Sequence, residues 1–161
     1  MIFSFFTFFL LSSFNHEPSQ NICLSKNELL LYNRINEVRK ENGLGGIPLS
    51  QSLTKVAKFH VEDLSANEPY DERICNMHSW SGQGEWKECC YRFDHSNADC
   101  MWKKPSELTD YPDDGFEIVA YWQTGDRPKK EIAANTALDM WMGSPGHSAV
   151  IFNEMSFSKV K

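Results

Sequence analysis

The sequence predicts an α+β domain, and two kinds of residue pattern carry that prediction. Three stretches, 25–43, 45–64 and 131–142, repeat apolar residues every three or four positions, which is typical of amphipathic helices. One stretch, 115–122 (GFEIVAYW), is instead rich in the β-branched and aromatic residues that favour strands. With 161 residues, of which 41% are hydrophobic, the chain has the length and apolar content of a single domain.

The N-terminus has the character of a secretory signal. Its first fourteen residues (MIFSFFTFFLLSSF) carry no charged side chain and are mostly Phe, Leu and Ile. This run is shorter than the ~20 apolar residues that span a bilayer, and no later run is a candidate span. We expect a signal peptide over residues 1–20, cut between Ser13 and Gln20, and an extracellular domain over 21–161. The alternative is an N-terminal strand or helix packed in the core.

The first predicted helix, residues 25–43 (SKNELLLYNRINEVRKENG), begins at a capping box. Ser25 and Glu28 stand three positions apart, so each side chain can accept a hydrogen bond from a backbone N–H at the helix start. Gly43 follows Asn42 at the other end, where glycine supplies the left-handed residue beyond a helix. The stripe that we expect to be buried consists of Leu29, Tyr32, Ile35 and either Val38 or Arg39.

The second predicted helix follows a Gly-Pro turn within residues 45–64 (GGIPLSQSLTKVAKFHVEDL). Either Ser50 or Ser52 serves as its N-cap. His60 lies on the apolar side, where we interpret it as a hydrogen-bonded core histidine rather than a ligand. The other residues predicted on that side are Leu53, Val56, Ala57 and Leu64.

Residues 67–112 show no sustained helical or strand period and are rich in Pro, Asn, Asp, Gly, Cys and Trp. Loops of that length are uncommon in compact domains unless they are stapled or functional. Clustered cysteines indicate disulfides in an oxidising compartment. We expect Cys89 and Cys90 to bond not to each other but to different cysteines, which leaves one thiol over; the candidate partners are Cys23, Cys75 and Cys100.

A structural zinc site is the alternative reading of the same cysteines. Cys75 and His78 (CNMH) provide a pair of ligand types at short spacing. No second clean C-x-x-C pair supports this alternative. The remaining ligands would come from Cys89, Cys90, His95 or Cys100.

The third predicted helix, residues 131–142 (EIAANTALDMWM), is followed by a sharp turn. Ser144 precedes Pro145 and is therefore pushed towards an extended conformation, and Gly146 can take dihedrals closed to other residues. His147 then falls in the first turn of a further short helix, where the helix dipole favours the neutral imidazole that binds a metal or accepts a proton. The inward residues of the third helix are Ile132 or Ala133, Ala137, Leu138 and Trp141.

The order of these segments resembles the CAP superfamily of cysteine-rich secretory proteins, antigen-five proteins and pathogenesis-related proteins, also called SCP domains. Four stretches carry the resemblance, in the family's order and across most of residues 29–152: LYNRINEVRKENGLGGIPLSQSLTKVAKFHVEDL, MHSW, GFEIVAYW and ALDMWMGSPGHSAVIF. The Ser-Pro-Gly-His sequence is most similar to secreted bacterial-type members. The ordered set, rather than any one motif, makes the resemblance specific.

This resemblance implies a three-layer α-β-α sandwich with a small antiparallel sheet and a central cleft. In the family two histidines and two acidic residues line the cleft, and His78, Glu117 and His147 match three of these four positions. The fourth falls near Ser144, where no glutamate stands. The order Phe-Glu-Ile also shifts Glu117 by one residue from the family's Glu-Asn-Ile. Because the family's closing strands do not follow SFSKVK, we expect a domain truncated at its C-terminus.

The three matched residues suggest two kinds of chemistry. Two neutral histidines, His78 and His147, with Glu117 can hold Zn²⁺ and leave a position open for water, or can orient water without a metal. The alternative is that both histidines only bond to the backbone and hold the loop against the third helix. Neither H-E-x-x-H nor G-x-S-x-G occurs in the chain.

Three functions follow from the sequence, and a non-enzymatic role is preferred. The first is a secreted binding module whose cleft, lined by Trp80, Glu117 and His147, takes a small apolar, peptide or glycan ligand, with zinc as the candidate metal. The second is a metal-dependent hydrolase using His78, Glu117 and His147. The third is an extracellular interaction protein acting through residues 67–112. The net charge of −6, without a basic cluster, argues against a nucleic-acid partner.

Overall fold

A computed structural model describes residues 23–71, 73–121 and 133–154, and within these ranges the protein is mostly helical. The predicted signal, residues 1–20, lies outside them. None of the helices in the described part is long and apolar enough to cross a membrane. The helices are α1 (Lys26–Glu41), α2 (Gln51–Asn67), α3 (Asp99–Trp102), α4 (Lys104–Leu108), α5 (Ala134–Met142) and α6 (Pro145–Phe152).

Helices α1 and α2 begin where their capping residues predict. The Ser25 side chain accepts from the Glu28 N–H, and the Glu28 side chain accepts from the Ser25 N–H, so the capping box is formed. Gly43 has φ 74°, the left-handed conformation predicted beyond α1. Of the two candidate caps of α2, Ser50 is the one used, and its hydroxyl accepts from the Leu53 N–H.

Helix α1 packs against α5 and α6 and forms one of two apolar clusters with them. Two polar side chains of α1 also reach the later helices: the Asn27 Oδ1 accepts from the Ala134 N–H at 2.9 Å, and the Arg39 guanidinium donates to the Ile151 carbonyl at 2.5 Å. The buried members of this cluster are Ala137, Leu138, Trp141 and Ile151, with Leu31, Ile35 and Val38 of α1 packed against them.

The predicted stripe of α1 is wrong at its first position. Leu29 is 48% exposed, while Leu31 packs against the cluster. The side facing inward is therefore turned towards Leu31, Ile35 and Arg39, because α5 and α6 both lie on that side. Both alternatives for the last position point inward, since Val38 packs on the cluster and Arg39 is buried.

The second apolar cluster joins α2 to the cysteine-rich loop. Residues 67–112, predicted without regular structure, contain the short helices α3 and α4 and two isolated antiparallel bridges, Cys75 with Arg92 and Trp80 with Cys89. Helix α4 begins at Lys104 and has Pro105 in its first turn, where no intrahelical hydrogen bond needs the missing N–H. The buried members of this cluster are Val56, Trp80, Cys89, Tyr91, Ala98 and Met101.

Two disulfides, Cys75–Cys90 and Cys89–Cys100, staple this loop. Cys89 and Cys90 thus reach different partners, and Cys23 takes part in neither bridge. The alternative zinc site built on these cysteines is overturned, because a sulfur bonded to another sulfur offers no thiolate to a metal.

No strand is formed within the described residues, although the sequence predicts one over 115–122. Residues 115–121 follow α4 without regular structure, and Trp122 lies outside the described residues. A strand needs backbone hydrogen bonds to a neighbouring strand. Within the described residues the isolated β-bridges lie in the cysteine-rich loop, and neither of them involves this stretch. Its start is fixed by a close approach, because a Cβ on Gly115 would lie 2.5 Å from Pro105 Cγ.

Ser144 and Pro145 make the turn between α5 and α6, and Gly146 is not part of it. Ser144 is extended, with φ −114° and ψ 118°, and Pro145 opens α6. Gly146 lies inside α6 and has no left-handed φ, so the conformational freedom predicted for it is not used. This turn places His147 in the first turn of α6, as predicted.

Candidate functional site

The carboxylate of Glu117 lies between two histidine rings. One oxygen, Oε1, contacts Nδ1 of His60 on α2, and the other, Oε2, lies 2.9 Å from Nδ1 of His78 in the stapled loop. Glu117 itself comes from residues 115–121, so three separate parts of the chain meet here. Since both carboxylate oxygens are engaged, Glu117 links the two histidines.

His60 is 1% exposed and has an acceptor at each ring nitrogen. Its Nε2 lies 3.0 Å from the Ser79 carbonyl oxygen, and its Nδ1 contacts the Glu117 carboxylate. A carbonyl and a carboxylate only accept hydrogen bonds, so both ring nitrogens of His60 act as N–H donors. Burial opposes that charge, but the hydrogen bond to Glu117 and its negative charge outweigh burial and raise the pKa of His60.

The pKa of Glu117, whose side chain is 22% exposed, shifts in the opposite direction. Burial works against the carboxylate, but the hydrogen bonds from His60 and His78, together with their charges, lower the pKa of Glu117 below its ordinary value. The site therefore holds an imidazolium–carboxylate pair formed by His60 and Glu117.

His78 completes the network with a defined tautomer. Because Oε2 of Glu117 only accepts, Nδ1 of His78 carries a proton, and in the neutral ring Nε2 then carries the lone pair. The backbone at His78 is held as well, since its N–H donates to the Asn76 Oδ1 at 2.9 Å. The ring packs at 5.2 Å from the Tyr91 ring, measured between centroids. His78 thus presents one basic nitrogen from a fixed ring.

His147 lies within electrostatic reach of His78. Burial lowers the pKa of His147, and whenever His78 is protonated its positive charge lowers that pKa further. The sequence predicts a neutral His147 from its place in the first turn of α6, and burial and His78 favour the neutral form as well. Of the three predicted site residues, the structure therefore joins His78 directly to Glu117 and brings His147 under the influence of His78.

The described residues contain no group of three or more His, Cys, Asp or Glu side chains placed to hold a metal ion. The network instead joins Glu117 to two histidines, so its carboxylate serves the rings rather than standing beside them as a third ligand. A metal held here would use imidazole nitrogens of His78 and His147, with Glu117 behind His78.

The contribution of α2 to this site was not predicted from the sequence. His60 was interpreted as a core histidine, which its burial supports, but its link to Glu117 was not foreseen. Asp63, 1% exposed, accepts from the Ser81 N–H and from the Asn67 amide, both at 2.7 Å, and so ties the residues after Trp80 to α2. The available signal was the spacing of His60 and Asp63, which puts two ionisable residues on the buried side of one helix.

Trp80, predicted to line the cleft, is 1% exposed. Its ring stacks on the His60 ring with centroids 4.3 Å apart and planes 8° apart, and the Lys104 ammonium lies 5.3 Å from its centroid. The Lys104 ammonium also donates to the Lys87 carbonyl and the Glu107 carboxylate. This burial favours the interpretation of Trp80 as a core residue that supports His60.

Two cavities lie elsewhere on the described surface. One of about 640 Å³ is lined by Tyr32, Asn36 and the backbone near Ile47, and one of about 300 Å³ lies beside the Cys75–Cys90 disulfide. Neither is lined by His78, Glu117 or His147. Trp80, which was also predicted to line the cleft, does line the second cavity, so the predicted cleft meets these two cavities at Trp80 and not at Glu117 or His147.

The histidine–carboxylate network predicts a specific pH dependence. A raised pKa means that His60 adds stability in full below its unfolded value near 6.5, and that this stability is lost as the pH rises through the folded pKa. Replacement of His60 by phenylalanine removes the titrating group. We expect the difference in free energy of unfolding between wild type and His60→Phe to be larger near pH ~5.5 than near pH ~8.5. Urea unfolding at both pH values measures this difference; an equal difference at both would contradict it.

Together, the mostly helical fold, the two disulfides and the histidine–carboxylate site define a small disulfide-stapled domain with a histidine-based site. A Trp-ended helix, α5, leads directly to the second histidine on α6. Residues 32–158 match the family model of the cysteine-rich secretory protein (CAP) family, and the chain belongs to this family. The resemblance to the CAP family is thereby confirmed, while the likeness of the Ser-Pro-Gly-His sequence to bacterial-type members stays a prediction. No curated protein and no solved structure matches the chain.

Proposed function

We propose that this CAP protein is a secreted binding module whose site is formed by His78 and His147. The ligand is a small apolar molecule, a peptide or a glycan whose polar end meets the two imidazoles, directly or through Zn²⁺. The observation that carries this proposal is the Glu117–His78 hydrogen bond of 2.9 Å, which sets the tautomer of His78. A histidine that donates one N–H to a carboxylate offers its other nitrogen as a strong donor to a metal or ligand.

Two donors of the kind that zinc prefers are available, one or two fewer than most zinc sites use. Neutral imidazole is a preferred zinc ligand, and burial favours the neutral form of His147. His78 and His147 would hold the ion, and the positions they leave open would take the ligand. Bound zinc would supply Lewis acidity. Glu117 orients His78 from behind, and the Tyr91 ring packs against it.

Binding is better supported than the alternative, metal-dependent hydrolysis by His78, Glu117 and His147. In that alternative, the part open to Glu117 is to bind the metal or to take a proton from water. The two oxygens of Glu117 already accept from His60 and His78. The lowered pKa of Glu117 also makes it a weaker base. Both observations support a positioning role for this carboxylate.

Secretion and the complete sandwich also belong to this proposal. Two disulfides within one loop suit an oxidising compartment, and the apolar residues 1–14 suit a signal peptide over residues 1–20. Membership of the CAP family supports an α-β-α sandwich.

Calorimetric titration of Zn²⁺ into the oxidised protein tests the proposed site. We expect micromolar binding by wild type and a loss of at least about tenfold in affinity on His147→Ala, because one of two protein ligands is removed. The control is His95→Asn, at a left-handed position that asparagine tolerates. The His95 ring contacts the Tyr91 hydroxyl, at 2.9 Å, rather than Glu117, so this variant removes an exposed histidine and leaves the Glu117–His78 hydrogen bond in place. Zinc binding that survives His147→Ala would contradict a metal at this site. Apolar, peptide and glycan ligands would then be titrated directly against the same three proteins.

A further inference from the structure

We propose that His60 is a positioning residue of this site, because it holds one oxygen of Glu117 so that the other oxygen fixes the ring and tautomer of His78. The consequence for ligand binding rests on the proposed function. The tautomer of His78 itself is a property of the protein without a ligand and is measured separately.

The contacts of His60 all lead towards His78. Its Nδ1 reaches Glu117, which bonds to the His78 ring, and its Nε2 donates to the carbonyl of Ser79, the next residue along the chain. Its ring face stacks on Trp80, the residue after that. His60 therefore bonds both the backbone beside His78 and the carboxylate that orients the ring of His78.

The surroundings of His60 hold this arrangement in place. Ser79 is buried, its N–H donates to the Asn76 carbonyl at 3.0 Å, and its hydroxyl accepts from the Tyr91 N–H at 3.0 Å. The Trp80 backbone pairs with Cys89 through two hydrogen bonds of 2.8 and 3.0 Å. With Ser79 and Trp80 fixed in this way, His60 has a defined position from which to hold Glu117.

Glu117 depends on His60 because residues 115–121 have no regular structure. A carboxylate held only by His78 can turn about its terminal torsions, which are broad for glutamate. The bond from His60 to Oε1 restricts that rotation and leaves Oε2 facing Nδ1 of His78. The nitrogen of His78 that carries the proton is set by this bond.

Two amide substitutions separate the two bonds of His60. The amide nitrogen of asparagine is as many bonds from Cβ as Nδ1 of histidine, so His60→Asn keeps a donor for Glu117. The amide nitrogen of glutamine corresponds in the same way to Nε2, so His60→Gln keeps a donor for the Ser79 carbonyl and loses the bond to Glu117. The two variants thus have the same chemical group, and only the position of the donor differs.

The first readout is the tautomer of His78, determined from its ring ¹⁵N chemical shifts in the metal-free protein. We expect the proton on Nδ1 in wild type and in His60→Asn, and a shift of the proton towards Nε2 in His60→Gln. A proton that stays on Nδ1 in His60→Gln would overturn the inference. If His60→Gln does not fold, wild type decides: the Nδ1–H protons of His60 and His78 should both appear as downfield, hydrogen-bonded signals, and their absence would overturn the inference.

The second readout is zinc affinity, which separates the inference from the proposed function. We expect about tenfold weaker binding by His60→Gln than by His60→Asn, the usual size of such an effect behind a metal ligand. If wild type binds no zinc while the His78 tautomer still changes, the zinc arm of the proposed function fails and the inference stands. If zinc binding depends on His147 but the tautomer is unaffected by His60→Gln, the proposed function stands and the inference is overturned.

Discussion

Replacement of Glu117 by alanine is expected to lower the free energy of unfolding by about 3 kcal/mol, the lower end of the range for breaking a buried ion pair. The substitution takes the acceptor from Nδ1 of both His60 and His78. His60 is 1% exposed and cannot replace that acceptor with bulk water. It must either keep a buried charge without a partner or give up the proton and leave Nδ1 unbonded. Urea unfolding near neutral pH measures the loss.

Glu117→Gln is the matched control for this prediction. The glutamine amide has one acceptor and one donor, so it can accept from His78 and donate to a neutral His60. We expect a loss of stability about half as large or less, because no ring nitrogen is left without a partner. Equal losses for Glu117→Ala and Glu117→Gln would show that the negative charge, rather than the hydrogen bonds, stabilises this network.

Removal of the Cys75–Cys90 disulfide is expected to have an effect of similar size. The bond closes a loop with a sequence separation of 15, and loops of that size are worth about 3 kcal/mol of stability. It also lies at one end of the loop that carries His78. We therefore expect Cys75→Ala with Cys90→Ala to lower both the free energy of unfolding and the affinity for zinc. Denaturation and calorimetry on the same preparation measure the two effects.

Cys23→Ala provides the control for the loss of a thiol, since both disulfides are retained. The double variant Cys89→Ala, Cys100→Ala provides a second comparison, because it removes the disulfide that ties the loop to α3. Should the Cys75–Cys90 variant bind zinc as tightly as wild type, the disulfide would stabilise the fold without positioning His78.

The helices could be predicted because their signals are local. The capping box at Ser25, the left-handed glycine at Gly43 and the proline that opens α6 each act within a few residues. The inward side of α1 could not be predicted as well, because it depends on where α5 and α6 pack. Periodicity gives the width of an apolar stripe but leaves its direction uncertain by about one residue, which is the error made at Leu29.

The candidate site could be predicted only in part, because its residues come from distant parts of the chain. Family resemblance selected His78, Glu117 and His147, and the structure joins the first two. His60 was not assigned to the site, because a histidine on an apolar helical side is compatible with any buried acceptor. Its partner, Glu117, is 57 positions away in the sequence. No rule of local spacing connects residues that far apart.

Helix α1 contacts helices that come much later in the sequence, and this affects how the chain folds as it is synthesised. Arg39 and the Ile151 carbonyl are 112 residues apart, and at about 5–20 residues per second that segment takes roughly 6 to 22 s to translate. The cluster between α2 and the stapled loop needs only residues up to about Leu108 and is complete earlier. During this interval Leu31, Ile35 and Val38 have no α5 or α6 to cover them, so α1 is the segment that we expect a chaperone to hold.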